Sequence, residues 1–224
     1  MKIIGIIGIF IIAGFLMHLF FHWLFRSADL SGTSQNKRLY AYMPVYDSDE
    51  RHKITVKASP EKIFEAIHRF DMGDSSIVKF FLFLRGLFSR SSDNNPDNPE
   101  PLKFSLEKMT TSGGMILLEE IENKEVVLGL GGQFWKIKPT EIHFTGMNDF
   151  VNFNQTDNVK VAWNLYIEEG EDGTASLSTE TRNLCLGQKA KSAFRIYWWI
   201  IRPYSGWIRV AILKMIKAQA EKMT

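Results

Sequence analysis

Cysteine is almost absent: Cys185 is the only one in 224 residues. That excludes an internal disulfide framework and a multi-cysteine zinc site. Charge of one sign is also missing. The 27 Lys and Arg nearly cancel the 25 Asp and Glu, so the balance gives no argument for nucleic acid as a partner. Histidine is scarce. Outside the apolar N-terminal stretch only His52, His68 and His143 occur, without HExxH or similar ligand spacing, which argues against a metal. There is no G-x-S-x-G nucleophile elbow. Gly129, Gly131 and Gly132 ("GLGGQF") run into Phe134 and Trp135 without opening a helix. A bulge or bend in a curved sheet fits them better than a phosphate loop. Asn154-Gln155-Thr156 has the glycosylation pattern, which matters only in a secreted eukaryotic setting. No cofactor is implied, and no residue is assigned a catalytic role.

What the chain does have is apolar length and aromatic rings. Residues Ile3 to Phe25 carry no formally charged side chain and are rich in Ile, Phe and Leu. At ~1.5 Å per residue such a run can cross a ~30 Å hydrocarbon core. Lys2 and Arg26 bracket it, and His18, His22 and Trp23 gather near its C-terminal end, where amphipathic rings suit the interface. The run exceeds the h-region of a cleaved signal and no small-x-small site follows. The expectation is a retained single-pass helix over 3–25, with the bilayer as its partner. Gly5, Gly8 and Gly14 give no GxxxG spacing for helix dimerisation. Lys2 and the terminal amine are outnumbered by Arg26, Lys37 and Arg38, which biases the following domain toward the cytoplasmic side.

Residues 26–50 read as a tether, rich in Ser, Gly, Asn and Asp and without a period. A domain then covers 51–222. His52, Ile54, Val56 and Ala58 alternate with Arg51, Lys53, Thr55 and Lys57, the pattern of a half-buried strand. Ser59-Pro60-Glu61 starts a helix whose stripe is Ile63, Phe64, Ile67 and Phe70. A second helix is expected over Ser75 to Phe88, and a polar loop over Ser89 to Pro101. Strands follow near Met115–Glu122, Val126–Trp135, Glu141–Phe144, Asn158–Glu168 and Thr174–Leu184, with hairpin turns at Asn123-Lys124 and Gly170–Gly173. From Gln188 to Lys222 apolar residues recur at helical spacing: Ala190, Ala193, Phe194, Tyr197, Trp198 and Ile201, then Ile208, Ala211, Ile212, Met215 and Ile216. Pro203 interrupts the run but the phase carries through, which predicts one long helix with a bend. The order of elements argues for an α+β fold with helices on one face of a curved antiparallel sheet.

The stretch "VKASPEKIFEAI" (Val56 to Ile67) resembles the opening of the SRPBCC, or START-like, superfamily. The tail from Leu177 to Glu221 is similar to one bacterial group of it, with a closing strand, a Tyr-Trp helix and an Arg-Pro bend. "AWNLYI" (Ala162 to Ile167) and "GQFWK" (Gly132 to Lys136) fit the same group. The resemblance covers about Arg51 to Glu221 and leaves out the apolar N-terminal run. It implies a helix-grip fold, a bent sheet wrapped around the long C-terminal helix with a cavity between them. Members bind lipids, sterols, polyketides or hormones, and some catalyse cyclisation or dehydration. The superfamily has no universal catalytic motif, so no catalytic residue is implied.

On that reading the cavity lining is Phe134, Trp135, Phe144, Phe153, Val161, Trp163, Leu165, Phe194, Tyr197 and Trp198. These are rings and aliphatics on strand faces and on the helix stripe, fit for a hydrophobic small molecule or lipid. The same rings can equally fill the interior. Glu180 and Arg182, two apart on a strand, are expected as a surface ion pair, the alternative being that one of them points into the cavity and orients a ligand head group. Trp199 and Trp207, off the stripe, either pack on loops or meet a bilayer surface. Three functions remain open. The first is a membrane-anchored binder of a hydrophobic molecule. The second is a cyclase- or dehydratase-type enzyme in the same cavity, and the third a non-catalytic interaction domain with a filled core.

Overall fold

A curved antiparallel sheet of six strands lies against one long C-terminal helix in the computed structural model, an α+β arrangement. Residues 2–24, 37–71, 105–111 and 114–223 are described, with side chains of the first helix from residue 12 onward. In chain order the elements are α1 (Lys2–Leu24), α2 (Lys37–Tyr42), β1 (Ser48–Val56), α3 (Pro60–Arg69), α4 (Leu106–Thr111), β2 (Ile116–Ile121) and β3 (Glu125–Gln133). Then come β4 (Thr140–Ile142), α5 (Met147–Asn152), β5 (Asn158–Glu169), β6 (Ala175–Leu186) and α6 (Gln188–Lys222). The expected helix at 75–88 and loop at 89–101 lie outside the described residues.

The sheet runs β1-β6-β5-β3-β2, with β4 paired to β3. The hairpin turns fall where the turn residues predict. Asn123 takes φ 59° between β2 and β3, and Asp172 and Gly173 take φ 54° and 71° between β5 and β6. The antiparallel register sets which side chains share a face. On β5, Val159, Val161, Trp163, Leu165 and Ile167 point to the α6 side, where they join its core clusters. Ala162 points the other way, among Leu39, Met43, Val127 and Phe150.

Toward its C-terminus α6 seals the main core. Ile212, Leu213, Ile216 and Ala220 meet Val126, Leu128, Leu165 and Leu177 of the sheet and Ile63, Ile67 and Phe70 of the α3 region. Burying each such Leu or Ile stabilises by roughly 1.5–3 kcal/mol. Ser59 holds the N-cap position of α3 in extended backbone, but its side chain makes no capping bond. α6 runs unbroken through Pro203.

Three readings change. Part of the expected tether is structured: α2 and the first three residues of β1, Ser48 to Glu50, fall inside 26–50, and Leu39 and Met43 are fully or almost fully buried. The glycines of β3 serve close approach. A Cβ at Gly129 would lie 2.8 Å from the Phe150 ring, and one at Gly131 would lie 2.8 Å from the Phe144 ring. The register shift occurs instead in β2, between Leu117 and Glu119. Glu180 and Arg182 are not at the surface: they are 6% and 5% exposed. They face away from α6, under α2. Arg182 donates Nε to Glu180 Oε1 at 2.7 Å and Nη1 to the Met43 carbonyl at 2.8 Å, and it stacks over Tyr46 at 4.7 Å. Arg51 adds a second cation on Glu180 at 3.3 Å. A buried carboxylate is tolerable because it is paired and hydrogen-bonded.

Among the described residues no helix is long and apolar enough to cross a membrane. The C-terminal part of α1 lies against α6. Phe21 meets Tyr204 and Trp207 at 5.8 and 5.6 Å, and His18 meets Trp199 at 4.7 Å. Trp199 and Trp207 therefore pack on a helix. Proline explains one bond there. Pro203 has no N–H to offer the carbonyl four residues back, that of Trp199. His22 Nε2 lies 2.9 Å from this carbonyl oxygen. A carbonyl only accepts, so Nε2 carries the proton.

Candidate functional site

Three layers lie between the sheet and α6. The layer toward the end of α6 is filled. Trp163 and Leu165 are 5% and 1% exposed and sit in the main core. The Trp163 indole donates to Thr179 Oγ1 at 2.6 Å, and that hydroxyl donates to the Asn164 carbonyl at 2.7 Å. The indole is thus satisfied inside the protein.

The middle layer is polar. Arg202 and Arg209 are one helical repeat of seven apart and turn toward the sheet, although their charge places them off the apolar stripe. Glu50, with no exposure at all, receives Arg202 Nε at 2.7 Å on one oxygen and lies 3.0 Å from His52 Nε2 with the other. Arg209 Nε donates to Thr181 Oγ1 at 2.8 Å, and Nη1 donates to the Ser205 carbonyl at 3.0 Å and to its hydroxyl. Desolvation lowers the Arg209 pKa to about 10, with Glu50 opposing the shift; it stays charged at neutral pH. Glu50, His52 and Arg209 are thus locked to partners. Both carboxylate oxygens of Glu50 are engaged, so this layer reads as a clamp between helix and sheet. A charge cluster was missed here because Glu50 falls in the stretch read as tether.

The layer at the start of α6 is aromatic. Phe194, Val159 and Val161 are buried together, with Leu130, Phe134, Trp135, Cys185, Tyr197 and Trp198 packed around them. Phe194 stacks on Trp198 with ring centroids 5.7 Å apart and planes within 14°, and it meets Trp135 edge-on at 6.4 Å. Beside this cluster a cleft of ≈ 280 Å³ opens between α6, the β1–β6 edge and the end of α1. Phe194, Trp198 and Trp199 form its apolar wall, and Lys191, Arg195, Arg202 and Asp47 stand around it. Ser48, Cys185 and His22 complete the lining. The buried indole N–H of Trp198 has no partner among the described residues, and leaving such a donor unmet costs about 1–3 kcal/mol.

The electrostatics of the cleft follow from its pairs. Asp47 accepts the Cys185 amide at 2.8 Å and is bridged by Lys191. Burial pulls the Asp47 pKa up, but the bonds from Lys191 and Cys185 outweigh it and hold the carboxyl below its usual range. Burial, with Asp47 alongside, pushes the Cys185 thiol up to about 12. It is therefore a poor nucleophile near neutral pH.

Of the ten expected lining residues, the structure places Phe194 and Trp198 on the cleft. Phe134, Trp135, Val161 and Tyr197 stand in the cluster behind it. Trp163 and Leu165 belong to the filled core. Phe144 lies on the opposite face of the sheet, edge-on to Phe150 at 5.2 Å and to Phe153 at 5.3 Å. The strand expected over Glu141–Phe144 ends at Ile142, so Phe144 lies beyond it and strand alternation does not set its face. Among the described residues no group of His, Cys, Asp and Glu is arranged to hold a metal.

No protein-family model matches the sequence, and no curated protein matches it. Among solved structures it is similar to a Chromobacterium violaceum protein at 11% identity and a TM-score of 0.32, over 78% of this chain and 99% of that one. It is similar to a hypothetical protein of Helicobacter pylori at 10% identity and 0.36, over 86% and 98%. Ara h 8.0201 follows at 11% and 0.27, over 72% and 97%. Likenesses of this strength assign no family.

Proposed function

We propose that this protein is a membrane-anchored binder of a hydrophobic small molecule or lipid, held at the cleft beside the start of α6. The observation that carries this reading is the cleft itself, an aromatic wall of Phe194, Trp198 and Trp199 rimmed by the charged Lys191, Arg195, Arg202 and Asp47. That is the composition of a site for an apolar ligand with an orienting end. Its volume, ≈ 280 Å³, falls just below the range of about 300–1,000 Å³ for such sites. The helix-grip arrangement expected from the resemblance agrees with a curved sheet against a long helix.

The anchor rests on the charge-free run from Ile3 to Phe25 and on the exposed Ile12, Phe15, Leu16, Phe20 and Trp23 of α1. Apolar side chains in such number are at home in lipid. The slight charge bias around the run favours a cytoplasmic side for the domain. An anchor of this kind raises the local concentration of membrane-derived ligand at the cleft.

The test is to purify the full chain in mild detergent, extract it with organic solvent and identify what comes out. The expected result is one dominant amphiphile near one per chain. An extract that mirrors the bulk lipid of the source membrane would overturn the reading.

A further inference from the structure

We propose that the ligand of the cleft is a single-chain acidic amphiphile, whose anionic head is held by Arg195 and Arg202 while its chain lies on Phe194, Trp198 and Trp199. This rests on the ligand reading above and adds the chemical class.

Charge decides the head group. Lys191, Arg195 and Arg202 line the cleft against one acid, Asp47. Asp47 is already bridged by Lys191 and the buried Glu50 by Arg202, so those pairs cancel and the net positive charge at the cleft is that of Arg195. Arg195 is exposed and has no ion pair among the described residues. A cationic head would meet an excess of like charge, and a neutral one would leave Arg195 unused.

Arg202 supplies the geometry. Its Nε is fixed on Glu50 at 2.7 Å, yet its side chain remains 40% exposed. The rest of its guanidinium has no partner among the described residues. A guanidinium pinned at one edge presents the other in a set direction, which suits a carboxylate or phosphate. Glu50 itself is fully buried, so it orients Arg202 without meeting the ligand.

Size decides the tail. A cleft of ≈ 280 Å³ walled on one side by stacked rings suits one chain better than the two of a diacyl phospholipid.

The experiment uses the full chain in phosphatidylcholine nanodiscs. Three photoreactive probes share one alkyl chain and differ in the head: a fatty acid, a monoalkyl phosphate and an alcohol. They are added at equal mole fraction and alkaline pH, where the acids are ionised and the arginines remain charged. Cross-links are then mapped to peptides. The expected result is labelling around Phe194 to Trp199 about tenfold higher for at least one acidic probe than for the alcohol, the size of one charge-assisted bond. Arg195→Gln, an exposed substitution that leaves the fold alone, should bring the acid down toward the alcohol. Which acidic probe labels more separates a carboxylate ligand from a phosphate one. Equal labelling by acid, phosphate and alcohol would overturn the head-group assignment and leave an apolar ligand standing. Full acid labelling in Arg195→Gln would overturn the assignment too. Labelling by none of the probes would overturn both this inference and the reading beneath it.

Discussion

Replacing Glu50 tests whether the polar layer clamps α6 to the sheet. The carboxylate is fully buried and carries two bonds, to Arg202 at 2.7 Å and with His52 at 3.0 Å. Glu50→Gln keeps the volume and one acceptor but removes the charge. A bond to a charged group contributes roughly 1.5–3 kcal/mol. The Arg202 share must be discounted because that side chain is 40% exposed and regains water when released, which leaves it worth about 1 kcal/mol or less. His52, 6% exposed, cannot regain water, so its loss is nearer the buried figure of about 1–3 kcal/mol. The sum is about 2 kcal/mol of destabilisation. For a chain of this size about 1 kcal/mol moves Tm by roughly 2–4 °C, so the expected drop is roughly 4–8 °C. The assay is thermal unfolding of the full chain in detergent, followed by near-ultraviolet circular dichroism. Adding Arg202→Gln to Glu50→Gln should cost little more, since the two residues share one interaction. A Glu50→Gln protein that melts within about 1 °C of wild type would refute the clamp.

Three further outcomes follow from named contacts. His22→Ala should lower stability by about 1 kcal/mol, the worth of one hydrogen bond, and the loss should shrink in a Pro203→Ala background, where residue 203 regains an N–H for the Trp199 carbonyl; equal losses in both backgrounds would break the link. The Cys185 thiol, pushed up to about 12 by burial and then by Asp47, should alkylate slowly near neutral pH, and Asp47→Asn should speed it by removing the second cause while burial remains; a fast wild-type reaction contradicts this. Asp47 is held below its unfolded value of 3.8 by Lys191 and the Cys185 amide, so its contribution is fully present above that pH and is lost as pH falls through the folded value. The acid limb of the stability curve should therefore be shallower in Asp47→Asn, and an unchanged limb would show that the Lys191 pair carries no linkage.

The strands and the long helix were legible because periodicity and burial coincide in them. β5 alternates along its whole length, and its predicted Asn158–Glu168 differs from Asn158–Glu169 by one residue. Proline at 60 and the stripe after it place α3 equally well. What the pattern hides is polar burial. Glu180 and Arg182 look like surface residues, because nothing in their own strand shows that α2 will cover them. Likewise α2 is too short, at six residues, to display a period, and Leu39 and Met43 are buried by contacts distant in sequence. At Gly129 and Gly131 the reason for glycine lies in the rings of Phe150 and Phe144, which are far along the chain. The candidate site was legible in part for the same reason. Phe194 and Trp198 follow from the helix stripe. Arg195, Arg202, Asp47 and Cys185 reach the cleft only through the fold.

The most direct test of a ligand-holding cleft is native mass spectrometry of the intact full chain, with detergent stripped off stepwise, for wild type beside Trp198→Ala. The account predicts that wild type keeps one apolar mass after the last detergent has left, and that the variant, still folded by circular dichroism, does not. A wild-type chain that emerges bare, or a variant that retains the mass equally well, would contradict it.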